Sequence, residues 1–273
     1  ALWSGLGYYS RARNLHRCAQ QIVAEHGGSF PSSAQTLATL PGIGRSTAGA
    51  IAAFCFGERA PILDANVRRV LTRLLGFGDD LAIAANERKL WELASNLLPQ
   101  GDLHHSMPRY TQGMMDLGAM VCLPRKPQCG QCPLHSCCQA GQQGDPENYP
   151  VKTRKVLRKS ESWWLLIQRD ATERVWLHRR PSRGIWAGLH CLPVFPERQA
   201  LMDRIPQEMV PGILEMPAVL HVLTHRDLHL HPVQVGATRL PLLSEEDGGW
   251  FERAQWQQLG LPAPVRKLLE AVA

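Results

Sequence analysis

The chain has 273 residues, 44% of them hydrophobic and 20% charged, and its formal net charge is +6. This length predicts two domains, each with a core of its own. No apolar run approaches the roughly 18 residues that cross a bilayer, and no basic-then-apolar leader opens the sequence, which argues against a membrane protein or an exported one. The positive charge fits a polyanionic partner such as nucleic acid, and it fits an ordinary basic enzyme equally well. We therefore expect a monomer of the bacterial cytoplasm, or of the nucleus or mitochondria in a eukaryote.

The first half of the sequence predicts an all-helical domain over residues 1–140. Apolar residues recur there at the spacing of one helix face, as at Ala48, Ile51, Ala52 and Cys55. The same spacing returns at Val67, Val70, Leu71 and Leu74. Both stretches are therefore expected to be helices.

A tight turn is predicted at LPGIG, residues 40–44. Gly42 and Gly44 allow its backbone N–H groups to point outward at the start of the helix that begins near Ser46. Unpaired amides and the positive end of a helix both favour an anion, so this turn is a candidate phosphate site. The alternative is an ordinary turn between helices.

Asp64, in the string PILDANVRRVL, immediately precedes a strong helical pattern. Its simplest role is that of an N-cap, whose side chain accepts hydrogen bonds from the first amides of the helix. Asn66 falls in the first turn of the same helix, where a purely structural role is the alternative to a functional one. A capping role does not prevent the carboxylate of Asp64 from also acting on a substrate.

Four of the eight cysteines crowd between residues 122 and 138. They follow a C-x6-C-x2-C-x5-C spacing that lets four thiolates converge on one centre, and they are Cys122, Cys129, Cys132 and Cys138. Such a centre holds either zinc or an iron–sulfur cluster. Zinc sites usually pair two close knuckles, and only one close pair is present, which favours iron–sulfur. Cys137 is an alternative to Cys138; otherwise Cys137, Cys18, Cys55 and Cys191 are expected to be small buried thiols.

The second half of the sequence changes character after a predicted linker at residues 141–160, which is polar, contains two prolines and gathers basic residues. Segments typical of strands follow at 163–168 and 175–181, and a final helix is expected near 263–272. His229 and His231 alternate with apolar residues, which predicts a strand and not a second ligand cluster. Residues 161–273 therefore predict a small α+β domain.

Several of these motifs together resemble one superfamily. The cysteine spacing resembles the cluster loop of the endonuclease III superfamily of DNA glycosylases, and LPGIG followed by a Gly/Pro-rich loop and Asp64 resembles its helix-hairpin-helix and aspartate signature. Within that superfamily, LWSGLGYYSRARNLHRCAQ at the start and QGMMDLGAMVC at 112–122 resemble the adenine DNA glycosylase family. The second half resembles the Nudix-like domain of that family, so the resemblance covers essentially the whole chain.

The resemblance implies an enzyme of base-excision repair. Its substrate would be double-stranded DNA with adenine opposite 8-oxoguanine or guanine, and its reaction the hydrolysis of the N-glycosidic bond of that adenine. The four cysteines would hold a structural [4Fe-4S] cluster that positions DNA. Asp64 would stabilise the positive charge that develops on the sugar, and Asn66 would orient water or that carboxylate.

Position 46 distinguishes branches of the superfamily. Members that resemble endonuclease III carry a lysine there, which forms a Schiff base, and the hydroxyl of Ser46 cannot form that imine. The chain is therefore expected to be a monofunctional glycosylase. A bifunctional endonuclease III-like glycosylase and an inactive DNA-binding fragment are the alternatives.

The resemblance also implies DNA contacts. Tyr8, the first tyrosine of GLGYY, would wedge into the duplex beside 8-oxoguanine while the adenine rotates out. The candidate DNA contacts are Arg11, Arg13, Gly42, Gly44, Ser46, Arg125 and Lys126. The alternative for Ser46 is that it only begins the helix, and for Arg125 and Lys126 that they are solvated surface charges.

In the second domain, Thr224 and His225 fall where the family commonly shows a Phe-Ser-His turn against the oxidised guanine. Leu223 stands in place of the aromatic residue, so hydrogen bonding by Thr224 is expected and stacking is not. A Nudix pyrophosphohydrolase needs a glutamate-rich helix that holds divalent metal, and the corresponding stretch offers only Glu197. This domain is therefore expected to recognise DNA without hydrolase activity.

The sequence opens at Ala1 with residues that read as the interior of a folded element, so we expect it to begin inside the first domain of the family. The general-acid glutamate of the family would then lie upstream. The nearest spare carboxylates, Glu25 and Glu58, are expected to be solvated. The 273-residue chain by itself is therefore expected to bind DNA weakly and to release adenine negligibly.

Overall fold

The computed structural model describes Trp3 and residues 8–153, 157–236 and 248–272. The chain divides into two compact units, one of Arg13–Lys155 and one of Ala1–Ala12 with Val156–Ala273. Residues 141–153, which the sequence predicts as linker, belong to the helical unit, because Leu81 N–H donates to Val151 O at 3.1 Å and Asp80 binds Thr153. In the described part of the chain, no helix is long and apolar enough to cross a membrane.

Between residues 9 and 148 the regular structure is helical. Its α-helices are α1 (Tyr9–Glu25), α2 (Ala34–Leu37), α3 (Arg45–Phe56), α4 (Ala65–Leu74), α5 (Ala84–Asn96), α6 (Leu103–Asp116) and α7 (Gln139–Gln143). A π-helix at Leu117–Val121 continues α6, and short 3-10 helices follow at Cys129–Gln131, His135–Cys137 and Pro146–Asn148. The helices predicted around residues 48–55 and 67–74 are thus confirmed as α3 and α4.

Two clusters form most of the helical core. One packs α4 against α5 and α6, and its buried residues include Val67, Val70, Leu71, Leu90, Trp91 and Met114. The other packs α1 and α2 against α3, and its buried residues include Cys18, Ile22, Leu37, Leu40, Ala48 and Ala52. Because α3 presents small residues, the neighbouring backbone can approach it closely.

The second unit is built on two sheets. Its strands are β1 (Lys159–Gln168), β2 (Val175–Arg179), β3 (His190–Cys191), β4 (Val194–Phe195), β5 (Leu214–Glu215), β6 (Val219–Val222), β7 (Arg226–Val235) and β8 (Gly248–Phe251). One sheet has the order β4-β1-β7-β5 with β6 also paired to β7, and the other has the order β3-β2-β8. β1 and β7 run parallel, and the alternation predicted at His229 and His231 falls on β7.

Short helices complete this unit: α8 (Arg198–Met202), α9 (Arg253–Gln257) and α10 (Ala263–Ala271). Leu165, Ile167 and Leu177 from the strands pack with Val265 and Leu269 of α10 in one core. The expected helix near 263–272 and the expected α+β class are confirmed.

Candidate functional site

The predicted turn at 40–44 leads directly into α3. Gly42 has a φ of +81°, which favours glycine, and Gly44 is the N-cap of α3. Ala48 N–H donates to Gly44 O at 2.8 Å, so the amides of residues 45–47 precede the first hydrogen bond within the helix. This is the arrangement of a helix N-terminus that can receive an anion.

Asp64 caps α4, as its simplest sequence interpretation predicts. Its Oδ1 accepts from Asn66 N–H at 2.6 Å and from Val67 N–H at 3.0 Å. Both hydrogen bonds use one oxygen, and the residue is only partly buried. The carboxylate is therefore held in a defined direction at the positive end of a helix, with Oδ2 outside the cap.

Arg69 connects the first turn of α4 to the loop of cysteines. This buried guanidinium donates to Asn66 Oδ1 at 2.9 Å, to Gly118 O at 2.6 Å and to Cys122 O at 2.7 Å. A Cβ placed on Gly118 would lie 2.8 Å from Asn66 Cβ, so the π-helix meets α4 in close contact. The Asn66 side chain is therefore fixed by a hydrogen bond at its oxygen and by the close packing of Gly118 against its Cβ.

Arg73, one turn further along α4, holds the cysteine loop itself. It is 2% exposed, and it donates to Cys122 Sγ at 3.3 Å, to Leu123 O at 2.7 Å and to Tyr149 O at 3.3 Å. Arg69 and Arg73 lie four residues apart, on one face of the helix. Sequence reasoning missed both as site residues; their helical spacing from Asn66 was the signal that could have found them.

The four predicted cysteines line one small cavity. Its volume is about 30 Å³, and its lining includes Cys122, Cys129, Cys132, Cys138 and Arg73. Burial raises the pKa of the Cys132 thiol, and the charges of the other three cysteines raise it further. Among the residues that the structure describes, no three His, Cys, Asp or Glu side chains form a group that could hold a single metal ion. The four thiols thus share one cavity.

The other cysteines differ from the expectation of buried thiols. Cys18 and Cys191 are buried, but Cys55 and Cys137 are exposed. Cys137 Sγ donates to Leu134 O at 3.4 Å and is not part of the cavity lining, whereas Cys138 is. Arg125 and Lys126, on the same loop, are exposed, as a phosphate contact requires.

Tyr8 lies in the second unit together with Thr224. Its hydroxyl is 3.2 Å from Thr224 Oγ1, the residue is 66% exposed, and the Arg11 guanidinium lies 4.9 Å from the centre of its ring. Two hydroxyls and an aromatic ring are thus presented to solvent at one place.

Thr224 and His225 occupy the turn between β6 and β7, and both are exposed. Leu223 N–H donates to Arg226 O at 2.8 Å and closes the turn. The Leu223 side chain packs against the core of the second unit. The residue that replaces the aromatic one therefore belongs to the core, and Thr224 and His225 are the exposed groups of the turn.

Of the two spare carboxylates, only Glu25 is exposed as expected. Glu58 is not simply solvated, because its Oε2 accepts from Ala34 N–H at 2.6 Å at the start of α2. Glu25 accepts from Gln21 at 2.8 Å on the surface. Glu197 is exposed at the start of the short helix α8.

Comparison with known proteins identifies the class. Residues 1–96 match a family model described as the HhH-GPD superfamily base excision DNA repair protein, and residues 163–271 match one described as a NUDIX domain. Among solved structures, an endonuclease III in a non-covalent DNA complex is 30% identical, with a TM-score of 0.41, over 51% of this chain and 61% of that one. The model that matches residues 1–96 describes the class, that of base-excision DNA repair proteins.

Relatives that match most of the chain identify the family within this class. The adenine DNA glycosylase of Buchnera aphidicola subsp. Acyrthosiphon pisum is 36% identical over 98% of this chain and 77% of its own length. That of Homo sapiens is 45% identical over 82% of this chain and 50% of its own length. The chain belongs to the adenine DNA glycosylase family.

Proposed function

We propose that this glycosylase hydrolyses the bond between adenine and deoxyribose where adenine faces 8-oxoguanine or guanine, and leaves an abasic site. The observation that carries this proposal is the geometry of Asp64, whose Oδ1 is fixed by two backbone amides. Breaking an N-glycosidic bond leaves positive charge on the sugar. A carboxylate already held in place stabilises that charge without further reorganisation.

Asp64 acts in its ionised form in this proposal, so another group must protonate the departing adenine. General-acid help of this kind is worth about 10²- to 10⁴-fold in rate. Glu58 is committed to the backbone of α2 and does not suit that task. Asn66, held by Arg69 through its oxygen, leaves its amide nitrogen to orient water or the carboxylate.

The DNA backbone would be held at the start of α3, where Gly42, Gly44 and the free amides of the first turn suit a phosphate. Arg11, Arg13, Arg125 and Lys126 would add sequence-independent phosphate contacts. A DNA substrate would place the protein wherever the genome lies, in the bacterial cytoplasm or in a eukaryotic nucleus or mitochondrion.

The base opposite adenine would be recognised in the second unit. Tyr8 offers an exposed ring for insertion between bases, and the hydroxyls of Tyr8 and Thr224, with His225 beside them, offer hydrogen bonds to an oxidised guanine. Glu197 lies alone on its helix, which supports recognition without Nudix hydrolysis.

We propose that the four cysteines hold a [4Fe-4S] cluster, whose usual ligands are four cysteine thiolates. All four line one cavity, and Arg73 donates a hydrogen bond to Cys122 Sγ. When bound, the cluster would link four points of the loop covalently. Arg73 would then hold that loop, with Arg125 and Lys126, at a fixed position on α4.

The proposal is tested by product analysis with the chain extended upstream by the N-terminal segment of an adenine DNA glycosylase, a form called the active enzyme below. Duplexes with adenine opposite 8-oxoguanine, guanine or thymine are incubated with the protein, and free adenine and the DNA product are measured. We expect adenine release opposite 8-oxoguanine and guanine, little opposite thymine, and an intact abasic strand. Equal release from all three duplexes would overturn the specificity.

Borohydride added during the reaction distinguishes a bifunctional glycosylase from a monofunctional one, because it reduces an imine between enzyme and sugar to a stable adduct. Because Ser46 has no amine, no trapped protein–DNA adduct should form that depends on residue 46. Such an adduct would favour the endonuclease III-like alternative, and DNA binding without base release would favour the inactive fragment.

A further inference from the structure

We infer that Ser46 is a positioning residue for Asp64 and acts through the backbone of Leu63. The inference rests on the proposed role of Asp64. Ser46 lies in the first turn of α3, and its Oγ accepts a hydrogen bond from Leu63 N–H at 3.0 Å. Leu63 is the residue before Asp64, so this bond fixes the peptide that leads into the capping carboxylate.

The segment that carries Asp64 needs such support. Residues 57–64 form neither helix nor strand, so no regular ladder satisfies their amides. Glu58 N–H donates to Ala52 O at 3.0 Å and Ala60 N–H to Glu58 O at 2.8 Å, while Pro61 has no N–H. Among the hydrogen bonds described, that of Ser46 anchors the end of the segment nearest Asp64.

Gly49 brings α3 close enough for this bond. It lies three residues after Ser46, on the same face of the helix. A Cβ placed on Gly49 would lie 2.4 Å from Pro61 O, so helix and segment meet backbone to backbone. On the other side, Ile62 and Leu63 are 4% and 2% exposed in the core. The segment is thus held between α3 and the core. The hydroxyl of Ser46 fixes the position of the Leu63 amide relative to α3.

The chemistry of position 46 follows from this contact. A serine hydroxyl accepts and donates, whereas a lysine ammonium only donates and an alanine does neither. A serine at this position therefore has two consequences. It provides no amine for imine formation, and its hydroxyl accepts the hydrogen bond that holds the peptide before Asp64. Gly44, and not Ser46, is the N-cap of α3, so the Ser46 hydroxyl is free of that task.

Loss of the hydroxyl should change the chemical step more than DNA binding. A reacting group misplaced by about 1 Å costs on the order of 10²-fold in rate. A shift smaller than that in Asp64 should slow base release by about 10-fold.

The test compares Ser46→Thr, Ser46→Val and Ser46→Ala in the active enzyme. Thr and Val have nearly the same shape and differ in the hydroxyl, so they form a matched pair. Single-turnover release of adenine opposite 8-oxoguanine and the Kd for a duplex with an abasic-site analogue are measured for each variant. Amide hydrogen exchange at Leu63 reports the hydrogen bond directly. The reference is Leu75, whose N–H donates to Leu71 O at 3.0 Å at the far end of α4.

We expect Ser46→Thr to stay within about 3-fold of the parent rate. Ser46→Val and Ser46→Ala should slow base release about 10-fold, with a smaller change in Kd and with faster exchange at Leu63 and not at Leu75. Asp64→Asn is measured in parallel. If Asp64→Asn slows adenine release while Ser46→Val and Ser46→Thr release adenine at the same rate, the inference is wrong and the proposed function stands. If Asp64→Asn keeps the parent rate, the proposed role of Asp64 fails and the inference fails with it.

Discussion

The hydroxyl groups of Tyr8 and Thr224 lie 3.2 Å apart, although 216 residues separate them in the sequence. Both residues are exposed, and both were assigned to recognition of the base opposite adenine on separate motifs. If both contact the base opposite adenine, as we propose, their hydroxyls are close enough to act on it together.

We predict that Tyr8→Phe and Thr224→Val each lower the preference for 8-oxoguanine over guanine by about 2- to 10-fold, the range of one net hydrogen bond. Because the hydroxyls act together, the double variant should lose little more than either single variant. Rates of adenine release from the two duplexes give the ratio. Thr224→Ser, which keeps a hydroxyl, is the control, and an additive double variant would show that the two groups act independently.

We predict that substitutions of the adjacent cysteines Cys137 and Cys138 have different effects on the iron and sulfide content of the protein. Cys138→Ser should remove iron and sulfide from the purified protein, because Cys138 lines the cavity. Cys137→Ser should keep both, since its thiol is exposed and bonds to Leu134 O. Elemental analysis of the two variants decides this, and stoichiometric zinc without iron, or equal loss in both variants, would contradict the assignment.

Asp170 is predicted to stabilise the second unit in a pH-dependent manner. Burial acts to raise the pKa of this carboxyl, but hydrogen bonds from Arg174 and Thr172 outweigh burial and hold the pKa well below its usual range. A depressed pKa in the folded state means that the stabilisation is present above the unfolded pKa, near pH 4, and is lost as the pH falls through the folded value.

Asp170→Asn should therefore lower the free energy of unfolding by about 2 kcal/mol at neutral pH and have a smaller effect in strong acid. Urea unfolding of the second unit at several pH values measures both. Glu173→Gln is the matched control from the same turn, because that side chain is 70% exposed and an exposed pair contributes little. An effect of Asp170→Asn that does not change with pH would show that its charge is irrelevant.

Thiol reactivity should separate the cysteines outside the cavity. Cys55 and Cys137 are exposed, whereas Cys191 is buried, and burial raises the pKa of its thiol to about 12. Iodoacetamide at pH 8 should therefore modify the two exposed residues and spare Cys191 until the protein is unfolded in urea. Peptide mass spectrometry gives the extent at each position, and modification of Cys191 at the rate of Cys55 in the native protein would refute the packing described for β3.

The sequence predicts the helices, the α+β unit and the cysteine loop, because periodicity and spacing are local signals. It also places Asp64 at a helix start, where the structure has it. It does not predict that Arg69 and Arg73 are buried, because arginine is normally exposed and their partners are carbonyl groups about 50 residues away. The sequence also does not predict the partner of Ser46, because the amide of Leu63 lies 17 residues further on in an irregular segment.

Asp64→Asn in the active enzyme separates the charge of Asp64 from its role as a helix cap. Asparagine caps helices about as well as aspartate, so the substitution removes the charge and keeps the start of α4. Asp102→Asn, at the start of α6, where the 69% exposed carboxylate makes no cap hydrogen bond, is the control. We expect Asp64→Asn to slow single-turnover release of adenine opposite 8-oxoguanine by about 10³-fold, with DNA affinity and the control unchanged. Release at the parent rate would contradict the proposed role of the Asp64 carboxylate.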